Sequence, residues 1–149
     1  MIPEIEISIR YKGAPSDTIL TASSSKATAD ILRQLFDPGH IQWTEEFIML
    51  SLNAASKVIG YYKVSRGGMN STVADVRVIA QVALQSMATG VIIAHNHPSG
   101  STKPSEADKR MTEKIRDGLR TLDIRLVDHL IITEDNHYSF ADEGELCIY

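Results

Sequence analysis

The sequence predicts an α/β domain in which a mixed β-sheet is flanked by helices. Short apolar runs typical of strands alternate with longer stretches whose apolar residues recur at helical spacing. The chain has 149 residues, of which 43% are hydrophobic and 23% charged, and this suits one globular domain with a sizeable core. We expect residues 1–40 to be an appended strand and helix and residues 41–149 to form the main domain.

The first half of the chain contains three predicted strands and one helix. Residues 4–11 alternate between apolar and polar side chains, which is typical of a strand. A helical pattern at 29–36 ends at Asp37-Pro38-Gly39. The runs 47–53 and 57–65 predict two strands joined by a short hairpin-like connection.

The second half alternates helices and strands more clearly. Residues 72–87 carry apolar side chains at helical spacing and predict an amphipathic helix. The run 91–94 is apolar throughout and follows Gly90, which fits a central strand buried on both faces. The remaining predicted elements are a helix and two strands, at 105–122, 124–133 and 137–140.

Composition restricts the class of protein. Cys147 is the only cysteine, so the chain has no internal disulfide and no thiolate metal cluster. No apolar run is long enough to span a membrane, and the first residues are acidic where a secretory signal is basic, so we expect a cytoplasmic protein with no membrane partner. The net charge of −4 gives no support to nucleic-acid binding, which relies on clustered cations.

The most informative stretch lies between residues 95 and 108. His95 and His97 are two residues apart, so on a strand both imidazoles point to the same side. Asp108 falls in the first turn of the next predicted helix. Two imidazoles and a carboxylate that leave a fourth position open for water are typical of catalytic zinc. The alternative is structural, because Ser105-x-x-Asp108 is also a helix capping box.

These residues carry a family resemblance. His95-Asn-His97-Pro-Ser-Gly100 followed by Ser105-x-x-Asp108 resembles the JAMM motif of the JAB/MPN metalloprotease superfamily, and most closely its bacterial RadC-like branch. The similarity extends over residues 44–143. It implies the three-layer, cytidine-deaminase-like JAB/MPN fold, Zn²⁺ as the cofactor, and hydrolysis of a peptide or isopeptide amide bond by zinc-bound water in an unidentified peptide or protein substrate.

The resemblance also implies roles for particular residues. His95, His97 and Asp108 match the zinc ligands of the family. Ser105 matches the serine that hydrogen-bonds the tetrahedral intermediate.

A catalytic glutamate is implied at the start of the first core strand, and we match it to Glu46, with Glu45 as the alternative. If the strand includes residue 46, Glu46 shares its face with the apolar residues Ile48, Leu50 and Leu52. An apolar face raises the pKa of a carboxyl group, which suits a proton shuttle.

Two other functional classes stay open. One is a non-catalytic MPN-type binding module, and the other is the DNA processing that the RadC association implies. Residues 1–40 do not resemble the DNA-associated region of longer RadC-like proteins, and Tyr61-Tyr62-Lys63 stands where those proteins often have a glutamate. His129 is either a buried, hydrogen-bonded core residue or a support for a metal ligand. Trp43 either lines a groove or anchors a surface segment.

Overall fold

The computed structural model of the protein describes residues 1–13, 20–67 and 74–146. Cys147 and the first residues of the predicted helix at 72–87 lie outside these ranges. The described elements follow the chain in this order: α1 (Ser25–Arg33), β1 (Glu46–Leu52), β2 (Val58–Arg66), α2 (Val76–Gln85), β3 (Gly90–Asn96), α3 (Glu106–Arg120), β4 (Arg125–Ile132) and β5 (His137–Ser139). None of the helices in these ranges combines the length and the apolar character that crossing a membrane requires.

The strands form one mixed sheet in the order β2-β1-β3-β4-β5. The β3–β4 pair is parallel and the other neighbouring pairs are antiparallel. The residues of the central strands β1 and β3 are all buried. These findings confirm the predicted α/β fold with a mixed sheet and a doubly covered central strand.

Helices cover both faces of the sheet and give the molecule three layers. On one face, Ala29 and Leu32 of α1 pack with Ile48 and Leu50 of β1. On the other face, α2 and α3 pack over a second cluster that includes Phe47 and Ile93. Alternate residues of β1 and β3 therefore enter two separate cores.

The spacing of buried residues in α3 orients this helix toward the sheet. Asp108, Thr112, Ile115 and Leu119 are buried and recur every three or four residues, so they form one face. A capping box at Ser105 fixes the start of the helix. Two polar side chains, Asp108 and Thr112, thereby face the sheet beside the end of β3.

The strand predicted at 4–11 is not formed. Ile5, Ile7 and Ile9 alternate as the prediction requires, but their side chains are exposed. An alternating pattern yields a strand only where the backbone groups find a hydrogen-bonding neighbour, and residues 4–11 belong to no ladder in the described structure.

Candidate metal centre

Three of the predicted site residues meet at the end of β3. The Nε2 atoms of His95 and His97 lie 2.9 Å apart. The Oδ1 atom of Asp108 is 3.3 Å from His95 Nε2, and its Oδ2 atom is 3.5 Å from His97 Nε2. One potential ligand atom from each residue lies within 4.8 Å of the others, so the three side chains can share one metal ion.

The hydrogen bond of His97 to the backbone directs a lone pair into this cluster. His97 Nδ1 lies 2.7 Å from the carbonyl oxygen of Ser101, which can only accept, so Nδ1 carries the proton of the neutral ring. The lone pair of His97 Nε2 then faces His95 and the carboxylate of Asp108. Acceptors held this close are stabilised by a cation between them, and an imidazole–carboxylate set suits Zn²⁺.

Asp108 and the neighbouring imidazoles shift each other's pKa values. Burial raises the pKa of Asp108, but the neighbouring imidazoles of His95 and His97 outweigh burial and hold the pKa well below the usual range. Burial lowers the pKa of His97, but Asp108, the carbonyl oxygen of Ser101 and the charge of Glu45 together more than compensate, so the net shift is upward. A permanently ionised carboxylate beside two imidazoles favours a bound cation.

Asp108 acts through both of its oxygens. Oδ2 accepts hydrogen bonds from the backbone N–H and the hydroxyl of Ser105, at 2.7 and 2.8 Å. Oδ1 instead faces His95. The capping box and the candidate ligand, which the sequence offers as alternatives, are therefore present together. The hydroxyl hydrogen of Ser105 is directed at Asp108.

The structure does not bring Glu46 to the cluster. Its carboxylate oxygens lie 3.5 Å from Lys63 Nζ and 3.4 Å from Arg66 Nε. Strand β1 does begin at Glu46, so this side chain shares the face of Ile48. That face packs against α1, opposite to His95.

Glu45 lies on the side of the cluster. Phe47 pairs with His95 across β1 and β3, and the two rings stack with their centroids 6.0 Å apart and their planes at 2°. Glu45 precedes the first residue of β1, and if the extended backbone continues through it we expect its side chain on the side of Phe47, because residues two apart share a face. Its charge contributes to the raised pKa of His97, and the residue is buried.

Comparison with known sequences identifies the family of this chain. A sequence model described as "RadC-like JAB domain" matches residues 22–145. The chain belongs to the RadC-like JAB domain family. It is 50% identical over 100 residues to a UPF0758 protein of Flavobacterium johnsoniae, covering 67% of this chain and 44% of the relative. It is 44% identical over 102 residues to UPF0758 protein YfjY of Escherichia coli K12, covering 68% and 64%.

A third relative aligns with nearly the whole chain. A UPF0758 protein of Shewanella frigidimarina is 35% identical over 142 residues, which cover 95% of this chain and 60% of the relative. The chain thus spans about half the length of the curated relatives it matches, from 44% to 64% in these three. Their names state no activity.

In this RadC-like JAB domain, Asn96 holds the segment before β1 in place. Its amide nitrogen donates to the carbonyl oxygens of Ile41 and Thr44, and its amide oxygen accepts from the backbone N–H of Glu46. These bonds fix the backbone on both sides of Glu45. Asn96 is not among the predicted site residues, and its place between the two histidines is the only sequence signal for its role.

His129 and Thr112 lie directly behind His95. His129 is fully buried, with Nε2 2.8 Å from His95 Nδ1 and Nδ1 2.6 Å from Thr112 Oγ1. Its ring stacks on Phe140 with centroids 4.7 Å apart. Burial lowers the pKa of His129 well below its ordinary value, so the ring is neutral. Sequence reasoning missed Thr112, although its position one helical turn after Asp108 places it on the same face.

An open cleft of about 360 Å³ borders the cluster at His97. Trp43 and the Pro98-Ser99-Gly100 turn line it, together with Glu134 and Asp135. The Trp43 side chain is largely exposed. The cleft therefore offers an aromatic and acidic surface next to the three candidate ligands.

Proposed function

We propose that this RadC-like JAB domain is a zinc-dependent hydrolase of peptide or isopeptide amide bonds. The observation that carries the proposal is the convergence of His95 Nε2, His97 Nε2 and the Asp108 carboxylate at one point. These atoms would hold the ion. Zn²⁺ bound there would supply Lewis acidity and lower the pKa of a water molecule to about 7.

Glu45 is the proposed general base and acid. Its carboxylate would take a proton from the attacking water and deliver it to the leaving nitrogen. Its backbone is held from two directions, because its carbonyl oxygen accepts from Gly67 N–H at 3.0 Å and Asn96 binds the next N–H at 2.7 Å. A shuttle must stay within hydrogen-bond reach of both partners, and this anchoring supports that requirement.

Ser105 is the proposed donor to the oxyanion. Its hydroxyl already lies beside Asp108, which places it at the edge of the cluster. A donor of this kind acts when it points to the position where negative charge develops. Turning the hydroxyl hydrogen away from Asp108 Oδ2 leaves that oxygen with the backbone N–H of Ser105, so the helix cap is kept.

The cleft favours a peptide as the substrate. It is open, so an extended chain can pass His97, and Trp43 offers an aromatic surface for a side chain. Glu134 and Asp135 on its wall oppose the approach of nucleic-acid phosphates. DNA processing has the family name as its only support, and salt-dependent DNA binding would test it.

The test compares two neighbouring glutamates. The full chain, loaded with one equivalent of Zn²⁺, is incubated with a library of peptides and lysine-linked isopeptides, and cleavage is followed by mass spectrometry. We expect Glu45→Gln to lower kcat by about 10²–10⁴-fold at unchanged zinc content. Glu46→Gln, the matched control, should keep nearly all activity because its carboxylate binds Lys63 and Arg66.

Two outcomes would contradict the proposal. Failure of the zinc-loaded protein to cleave any amide in the library would argue for a binding module. Unchanged turnover by Glu45→Gln would remove Glu45 from the reaction while leaving hydrolysis itself in place.

A further inference from the structure

Thr112 and His129 are two buried, hydrogen-bonded side chains, and His129 contacts His95. Both side chains lie behind His95, on the side away from the cluster, and neither is among the candidate ligands. We propose that Thr112 and His129 form a hydrogen-bond relay that fixes the proton of His95 on Nδ1 and keeps Nε2 free to bind the metal. The relay rests on the metal binding proposed above, but not on hydrolysis.

The first link is set by the hydroxyl of Thr112. This hydroxyl has one hydrogen, and it is donated to the backbone carbonyl oxygen of Asp108, 2.7 Å away and one turn earlier in α3. Toward His129 Nδ1, 2.6 Å away, the same oxygen can therefore only accept. His129 must carry a proton on Nδ1.

The second link sets which ring nitrogen of His95 carries the proton. Thr112 and His95 are the hydrogen-bond partners of the two ring nitrogens of His129. A neutral ring protonated on Nδ1 has its lone pair on Nε2, and this atom lies 2.8 Å from His95 Nδ1. His95 must donate from Nδ1, which leaves the lone pair of its Nε2 facing His97 and Asp108.

Aromatic packing holds the rings in the orientation that the relay needs. Phe140 stacks on His129 with the ring planes at 8°, and Phe47 stacks on His95 at 2°. A flip of either ring about its Cβ–Cγ bond would put carbon atoms where the two ring nitrogens lie and would break the relay. The relay starts at the backbone of one candidate ligand, Asp108, and ends at the ring of another, so it links α3 to β4 and β3.

The test removes one hydroxyl and keeps the shape of the side chain. Thr112→Val has nearly the same volume but cannot bind His129, whereas Thr112→Ser keeps the hydroxyl and is the matched control. We expect Zn²⁺ affinity, measured by competition with a chromophoric chelator, to fall about 10–100-fold in Thr112→Val and to stay near the wild-type value in Thr112→Ser. Thr112→Ala, which also lacks the hydroxyl, is a second variant in case valine disturbs the fold.

Long-range ¹H–¹⁵N NMR of the zinc-free protein reads the tautomer directly. His95 should be protonated on Nδ1 in the wild type and in Thr112→Ser, and a form protonated on Nε2 should appear in Thr112→Val. A wild-type His95 protonated on Nε2 would overturn the relay, as would equal zinc affinities of folded Thr112→Val and Thr112→Ser. Failure of the wild type to bind Zn²⁺ would instead contradict the proposed metal site, and failure to cleave amides would leave the relay standing.

Discussion

Asp108 combines a helix cap and a candidate metal ligand, and two substitutions separate these roles. Asp108→Asn keeps a side-chain oxygen that can accept from Ser105 N–H, but it removes the charge that faces His95. Asp108→Ala removes both. Asp108→Ala gives up its half of the capping box but keeps the bond from the backbone N–H of residue 108 to Ser105 Oγ, so the cost is at most about 1 kcal/mol. For a chain of this size, that corresponds to about 2–4 °C in Tm, so without zinc the alanine variant should unfold below the asparagine variant.

Zinc adds a second, larger effect. At a free Zn²⁺ concentration about 100 times Kd, binding stabilises the folded state by about 2.7 kcal/mol. On the same scale this raises Tm by about 5–11 °C. We expect the wild type to show this increase and both Asp108 variants to lose it. Ser105→Ala is the matched control, because it weakens the cap but leaves Asp108 Oδ1 in place and should keep the increase.

The assay is thermal unfolding followed by circular dichroism at pH 8, with a chelator or with Zn²⁺. Each variant is its own reference, so the zinc effect is read as a difference between two curves of the same protein. A full zinc-dependent increase in Asp108→Asn would refute the assignment of Asp108 as a ligand. Loss of the increase in Ser105→Ala would show that the cap and the ligand cannot be separated.

Three further predictions follow from packing and charge. Trp43→Ala should raise KM for a cleaved peptide without changing zinc stoichiometry, because the ring lines the cleft but contributes no candidate ligand. Gly118→Ala should destabilise the protein in urea unfolding, because the added Cβ would lie 2.8 Å from Val76 Cγ1. Such overpacking costs about 1–3 kcal/mol, whereas the gain in helix propensity is only about 1 kcal/mol. Val76→Ala in the same chain should restore stability. Burial lowers the pKa of His129 below 6.5, so as the pH falls His129 is protonated in the unfolded chain before it is protonated in the folded protein. His129 should therefore lower the free energy of unfolding of the zinc-free protein below pH 6.5 by at most about 1.4 kcal/mol per pH unit, and His129→Gln should lose this part of the pH dependence.

Local patterns account for the parts of the fold that the sequence predicts. The apolar run at 91–94 and the capping box at Ser105 each depend on neighbours in the chain, and both lie in the predicted elements. Residues 4–11 have an equally regular pattern but form no strand. The difference is whether a neighbouring strand is available for pairing. Alternation shows which side of a strand would be buried, and tertiary structure decides whether a strand forms there.

The candidate ligands were predictable for the same reason. His95, His97 and Asp108 lie on one strand–turn–helix unit, whose local geometry brings its strand end and helix start together. The support behind them was harder to find. His129 comes from β4 and meets Thr112 of α3 only through the packing of this helix on the sheet.

The choice between Glu45 and Glu46 shows where single-sequence reasoning stops. The predicted alternation in β1 is confirmed, since Ile48, Leu50 and Leu52 do enter one core. Every residue of β1 is buried, however, so apolar neighbours do not reveal which face carries the site.

The register between β1 and β3 decides the question, because it sets Phe47 opposite His95. A slip of one residue would exchange the faces and direct Glu46 to the imidazoles. Register depends on the packing of both faces of the sheet and cannot be predicted from any single segment of the sequence. The Glu45→Gln and Glu46→Gln pair therefore tests the strand register and the proposed chemistry in one comparison.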